Sequence, residues 1–209
     1  MNTIRITYAV LNDLKFIAHL DTTRLLFRLF RKLSLPIVYS QGFSPHPLVS
    51  FSPPRPVGIE SLCECIDVKL NQPIDIEKTK SIINQFAPKG LVIKAIQYLK
   101  DTDFLLKEIS KVVYRVDGFS AINIMLTSDS IEKFLARPEI IIKKVKKGKQ
   151  TSLNIKPWIN NLQLKDIFLH MELNIGNNTA PPFLLLESLL EADIGDVKKL
   201  NIVRVSVTP

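Results

Sequence analysis

Three arginines, Arg24, Arg28 and Arg31, stand four and then three residues apart, with Lys32 beside the last. At helical spacing they fall on one stripe. A guanidinium is a planar fork that matches phosphate oxygens two at a time. A stripe of such forks can grip a phosphate backbone. No acidic residue follows Asp21 before this stretch ends, so nothing in it offsets the charge. The bland alternative is a solvated helix face.

Residues 39–61, YSQGFSPHPLVSFSPPRPVGIES, hold the second concentration of chemistry. Prolines 45, 47, 53, 54 and 56 stiffen the segment and remove five backbone donors. Gly42 and Gly58 permit turns or the close approach of a ligand. Gln41, Phe43, His46, Phe51, Arg55 and Glu60 supply amide, aromatic, imidazole, guanidinium and carboxylate groups. Such a segment suits an unpaired base or a backbone phosphate. It could also simply cover one end of a sheet with both Phe rings buried. Arg55 and the arginine stripe are expected to border a single cleft.

Three histidines are present, His19, His46 and His170. His19 and His46 are the weak candidates for acid–base work. No nucleophilic triad and no H-E-x-x-H motif accompanies them, and no other catalytic residue stands out. Cys63 and Cys65 lie two apart on an alternating run and face the same way. They read as packed thiols. Two cysteines make neither a zinc site nor an iron–sulfur cluster unaided, so no metal and no cofactor is expected. The run KKVKKGK, 143–149, reads as an exposed basic turn. Walker, G-x-G-x-x-G and RRM signatures are absent.

The elements that must position these groups follow from periodicity. Residues 3–11 alternate as a strand. Residues 19–34 switch to spacings of 3 and 4, with Leu20, Thr23, Phe27, Phe30 and Leu33 as the expected buried face. On this reading the arginine stripe lies on a different side from Phe27 and Phe30. Pro36 stops the helix, and 37–40 begin a short strand. Residues 62–70 alternate, 75–86 are helical, and 90–99 form a strand after a Gly turn. The second half repeats the pattern without residue identity: strands at 112–118, 139–145, near 151–156, in 163–175 and at 200–207, and helices at 128–136 and 181–190. The expected fold class is α+β, two tandem ferredoxin-like units (β-α-β-β-α-β twice), with antiparallel sheets and helices on one face. The expected domains are 1–100, carrying the proline-rich loop, and 101–209. Residues 100–111 are expected to form a short packed helix between them.

The chain has 209 residues and a formal net charge of +8. The excess is uneven: +4 over 1–50, +2 over 51–100, +3 over 101–150 and −1 thereafter. A positive excess points to a polyanionic partner, RNA above all. No apolar run approaches the roughly 18 residues of a membrane span, so no membrane partner is expected. The start lacks a secretory pattern, and the expected compartment is the cytoplasm.

The stretch HLD (19–21), YSQGF-x-PHP (39–47), F-x-P (51–53) and P-x-G-x-ES (56–61) resembles the bacterial family of radical SAM-linked proteins. The likeness covers residues 1–70 well and the rest loosely, including N-x-K-P-W at 154–158. Members of that family stand alone or are fused to the C-terminal end of a radical SAM protein. The resemblance implies a radical SAM partner. Through the family's neighbourhood with an RNase E/G-type enzyme and ribosomal proteins, it also implies a link to RNA, either tRNA or rRNA. It carries over no catalytic residue. It marks His19, Asp21, Gln41, Gly42, Phe43, His46, Pro47, Gly58 and Glu60 as a shared surface.

The leading expectation is therefore a non-catalytic, RNA-binding accessory protein that presents or recognises RNA for a radical SAM enzyme. Its expected phosphate contacts are Arg24, Arg28, Arg31, Lys32 and Arg55. One alternative is a metal-independent endoribonuclease, by architectural analogy with RAMP-type CRISPR repeat-processing enzymes. The chain departs from those enzymes in having Gly176-Asn-Asn in place of a glycine-rich C-terminal loop. The other alternative is a pure protein–protein docking module.

Overall fold

Alternation of Ile4, Ile6, Tyr8 and Val10 makes one face of the first strand, β1 (Asn2–Val10), wholly apolar and buried. The structure is a computed structural model that describes residues 2–100, 106–146, 149–176 and 179–209. It is a mixed α+β protein that divides into two compact units, Met1–Ile109 with Pro209 and Ser110–Thr208.

In the first unit β1 is followed by α1 (His19–Lys32), β2 (Val49–Phe51), β3 (Glu60–Leu70), α2 (Ile76–Phe86) and β4 (Leu91–Tyr98). The strands lie in the order β4-β1-β3-β2, and every pairing is antiparallel. Register sets Ile4 opposite Val68 and Ile6 between Ile66 and Ile96. Leu26, Leu29 and Phe30 of α1 and Ile83 of α2 close the core over this apolar face. Asp75 caps α2 by accepting from the Lys78 amide at 3.0 Å. Gly90 turns the chain into β4 at φ +95°; a Cβ there would meet the Leu11 carbonyl oxygen at 2.4 Å.

The helix phase differs from the sequence expectation. The buried side of α1 holds Thr22, Leu26, Leu29 and Phe30, while Leu20 is 67% exposed. Leucines and phenylalanines are so frequent here that 20-23-27-30 and 22-26-29-30 both satisfy helical spacing. Packing in the core shared with the sheet selects the second. The expected strand at 37–40 is also reduced. Ile37 and Tyr39 make isolated bridges, to Leu70 and Pro47, rather than a ladder.

The other face of this sheet buries an ion pair. Arg5 stands opposite Asp67 in register and donates to both carboxylate oxygens, at 2.7 and 2.9 Å. Both residues are under a tenth exposed. The turn Leu106–Glu108 lies against β2 and β3. The rest of the expected linker helix, 101–105, falls outside the described residues.

The second unit runs β5 (Lys111–Asp117), α3 (Ser128–Ala136), β6 (Ile141–Lys146), β7 (Lys149–Asn154), β8 (Ile159–Lys165), β9 (Phe168–Asn174), α4 (Pro182–Leu190), α5 (Ile194–Val197) and β10 (Asn201–Thr208). Its sheet order is β10-β5-β9-β8, again antiparallel. The run 163–175 is thus the end of β8, a tight turn through Asp166 (φ +54°) and β9. Among the described residues β6 and β7 pair only with each other. Thr127 and Ser130 form a reciprocal capping box at the start of α3.

A buried ion pair that loses one member leaves a desolvated charge. Arg5→Ala is therefore expected to lower stability by about 3–5 kcal/mol in urea denaturation. Arg5→Met combined with Asp67→Leu is expected to return it to within about 1 kcal/mol of the parent.

Candidate nucleic-acid interface

α1 begins without a side-chain cap, its N-cap being Ala18. Asp21 sits in the first turn and Arg31 and Lys32 in the last, the order that favours the helix dipole. With the core side set by Leu26, Leu29 and Phe30, the opposite side faces out. There Asp21, Arg24, Phe27, Arg28 and Arg31 line an open groove of about 480 Å³. Arg24 donates to Asp21 at 3.1 Å, with both side chains more than half exposed. Such an exposed pair contributes at most about 1 kcal/mol and exchanges readily. Neither Arg28 nor Arg31 has a carboxylate partner among the described residues. Lys32 is placed elsewhere: its ammonium lies 4.2 Å from the ring centroid of Phe86 in α2, outside the groove residues.

Phe27 is half-buried and packs against the core, as its spacing predicts, but it is not set apart from the arginine stripe. At about 100° per residue it lies near the edge between the core side and the stripe. Here it lines the groove beside the arginines, whereas Phe30 is buried. Behind it stands Phe51 of β2, with ring centroids 6.5 Å apart and planes at 50°. The His19 ring meets Phe51 edge to face at 5.0 Å and 87°. One aromatic cluster thus joins the start of α1, its middle and the edge strand.

Arg55 does not reach this groove. It is 8% exposed, and its guanidinium lies within hydrogen-bond distance of five backbone carbonyls. The Leu14, Lys15 and Ile17 carbonyls come from the turn Asn12–Phe16 and the residue after it. Pro56 and Ile59 belong to its own segment. The Gly58 amide donates to the Lys15 carbonyl at 2.8 Å, and the Glu60 carboxylate accepts from the Asn12 amide at 2.9 Å. Arg55, Gly58 and Glu60 therefore hold the proline-rich segment against the turn that leads into α1. The expected shared cleft resolves into a groove on α1 and a separate buried anchor. Sequence reasoning had no access to this, because a buried arginine that chelates carbonyls carries the same letter as an exposed one.

The tip of the loop is displayed. Ser40 closes it: its amide donates to the His46 carbonyl at 2.9 Å, and its hydroxyl accepts from the His46 amide at 3.1 Å and bonds the ring Nδ1 at 2.8 Å. Gln41, Gly42 and Phe43 project from the closed neck, with Gly42 at φ +126° and Phe43 fully exposed. Neither His19 nor His46 contacts a carboxylate or the other histidine among the described residues. Their observed contacts assemble no acid–base pair. His170 lies in the second unit on β9, opposite Arg115 and Gln163. Partial burial, then the charges of Lys165 and Arg115, holds its pKa below the ordinary value.

Cys65 is buried and bonds Thr7 at 3.7 Å, while Cys63 is half-buried. Burial pushes the Cys65 thiol pKa up, against smaller opposing effects from Thr7 and Arg5. The lysine run 143–149 does span a hairpin, the paired strands β6 and β7. Its tip at 147–148 lies outside the described residues, as do residues 177–178 of the Gly176-Asn-Asn sequence.

Residues 3–181 match the family described as uncharacterized protein conserved in bacteria (DUF2344). The chain belongs to this family. The DUF2344 match takes in α1, the proline-rich segment and most of the second unit. No curated protein matches the chain. No helix among the described residues is long and apolar enough to cross a membrane.

Two outcomes test this geometry. Removing a buried cation that serves several carbonyls leaves acceptors unsatisfied, so Arg55→Ala is expected to lose at least about 2 kcal/mol of stability. Limited proteolysis should then cut within 39–61 faster than in the parent. Arg55→Lys, which lacks the fork, should be cut nearly as fast. In native protein at mildly alkaline pH, iodoacetamide should label Cys63 well before Cys65, read by peptide mass spectrometry.

Proposed function

We propose that this protein binds RNA through the outer side of α1 and serves as an accessory factor to a radical SAM enzyme. The observation that carries the RNA part is the groove where Arg24, Arg28 and Arg31 stand together on one exposed helix side. Arg28 and Arg31 are uncompensated by carboxylates among the described residues. The charge of +4 over the first fifty residues supports the same reading. A sheet-backed helix holds the arginines in register, and guanidinium groups on a fixed support recognise phosphate with little ordering cost. The expected RNA is tRNA or rRNA, and a cytoplasmic setting fits it. The radical SAM part rests on the resemblance of the 19–61 motifs. Arg55 and Lys32 leave the set of phosphate contacts: the first anchors the fold and the second covers Phe86.

We read the two units as tandem ferredoxin-like repeats. Each has the strand order last-first-third-second, which supports that reading once β6–β7 is taken as an insertion in the second unit.

A second reading is favoured by one observation, the fully exposed Phe43 on a closed loop neck. An aromatic held out in water fits a pocket on a protein partner. In this reading the loop docks on the radical SAM protein, whatever α1 binds.

Binding of a structured RNA should weaken steeply between roughly 50 and 200 mM salt. Arg28→Ala with Arg31→Ala should flatten the log–log salt slope by about 0.7–0.9 per arginine removed, measured by filter binding. An unchanged slope would overturn the RNA reading. Phe43→Ser should leave that slope alone and abolish nuclease-resistant co-purification with a co-expressed radical SAM partner. Retention of the complex would remove the docking role of the loop.

A further inference from the structure

The groove has an aromatic wall as well as a cationic one, and phosphate binding alone does not use it. Phe27, half-buried with part of its surface packed on the core, lines it among the arginines. Its ring is backed by Phe51 at 6.5 Å, and Phe51 is braced in turn by the His19 edge at 5.0 Å. This places a supported ring beside two uncompensated guanidiniums. We propose that the groove takes an unpaired stretch of RNA, with one base stacked on Phe27 and neighbouring phosphates on Arg28 and Arg31. The proposal rests on the RNA reading above and narrows it to single strands.

Three physical points favour a single strand over a duplex. In a duplex the bases are stacked on each other, and a side chain in this groove meets only sugar and phosphate. Double-stranded RNA is recognised by shape across about 16 base pairs, whereas α1 is only about 21 Å long and Arg24 to Arg31 spans about 10 Å of it. Base–aromatic stacking tolerates any base, which suits a site where no side-chain amide lines the wall. The charge pattern orients the strand. Asp21 occupies Arg24 and repels phosphate at the start of the helix, so the phosphates lie toward Arg31.

The test is fluorescence anisotropy on the full chain with three probes: a single-stranded RNA of about 12 nucleotides, the blunt duplex of the same sequence, and an abasic strand with the same phosphates. The expected result is at least about fivefold tighter binding of the intact single strand than of either other probe. Phe27→Leu keeps an apolar side chain against Phe51 and should weaken single-strand binding by about 5- to 100-fold. Its affinity for the abasic strand should not change. Phe27→Tyr should restore the single-strand preference. The inference is overturned if wild type binds duplex or abasic strand as tightly as the single strand. That comparison holds even if Phe27→Leu folds poorly. If Arg28→Ala with Arg31→Ala weakens binding while Phe27→Leu does not, stacking fails and the RNA reading stands. If wild type binds none of the probes, both fail.

Discussion

The position of the candidate interface depends on the Arg55 guanidinium. It is a buried cation within hydrogen-bond distance of the carbonyls of Leu14, Lys15, Pro56, Ile59 and Ile17. A buried charge without such dipoles would cost several kcal/mol, roughly. With them it ties two chain segments about forty residues apart in sequence. One segment leads directly into α1, and the other follows Phe51. The anchor thus fixes where α1 starts relative to the edge strand. That in turn sets how His19, Phe27 and Phe51 meet. The five prolines of the segment act in the same direction, because they lower the freedom that Arg55 must remove.

The helix itself divides its labour by angle. Leu26, Leu29 and Phe30 are fully or nearly fully buried in the core under the sheet and supply most of its stability. Its arginines add little to folding, since the one visible pair, Asp21–Arg24, is exposed. A charged side that contributes little to stability is free to serve a ligand. The Arg5–Asp67 pair is the opposite case. It lies inside the sheet's other face and fixes register there, because a one-residue slip would separate the two charges.

The 39–61 segment has two parts of different character. Its second part, from Phe51 through Glu60, is built into the molecule by buried hydrogen bonds of Arg55 and Ser52 and by the exposed one between Glu60 and the Asn12 amide. The first part, from Ser40 to His46, is a closed neck with an exposed end. The motif residues of the 19–61 stretch therefore split. Gly58 and Glu60 serve the fold, His19 serves the aromatic cluster, and Gln41, Gly42 and Phe43 are left to solvent. A short motif in sequence does not imply one surface in space.

The sequence by itself determined the element types and the sign of the charge. Alternation marked β1 and β3, and the helical stretches 75–86 and 128–136 were legible, because period is a local property. The arginine stripe was legible for the same reason: four- and three-residue spacing aligns side chains in any helix. Only the tertiary structure decided which side of α1 is inside. Leu20 and Thr22 exchanged roles because several apolar phases fit one helix, and contact with the sheet chose among them. Only the tertiary structure made Arg55 an anchor and left Arg28 without a carboxylate partner among the described residues. Solvation, and not residue type, sets what a guanidinium does, and solvation is a property of the folded surface.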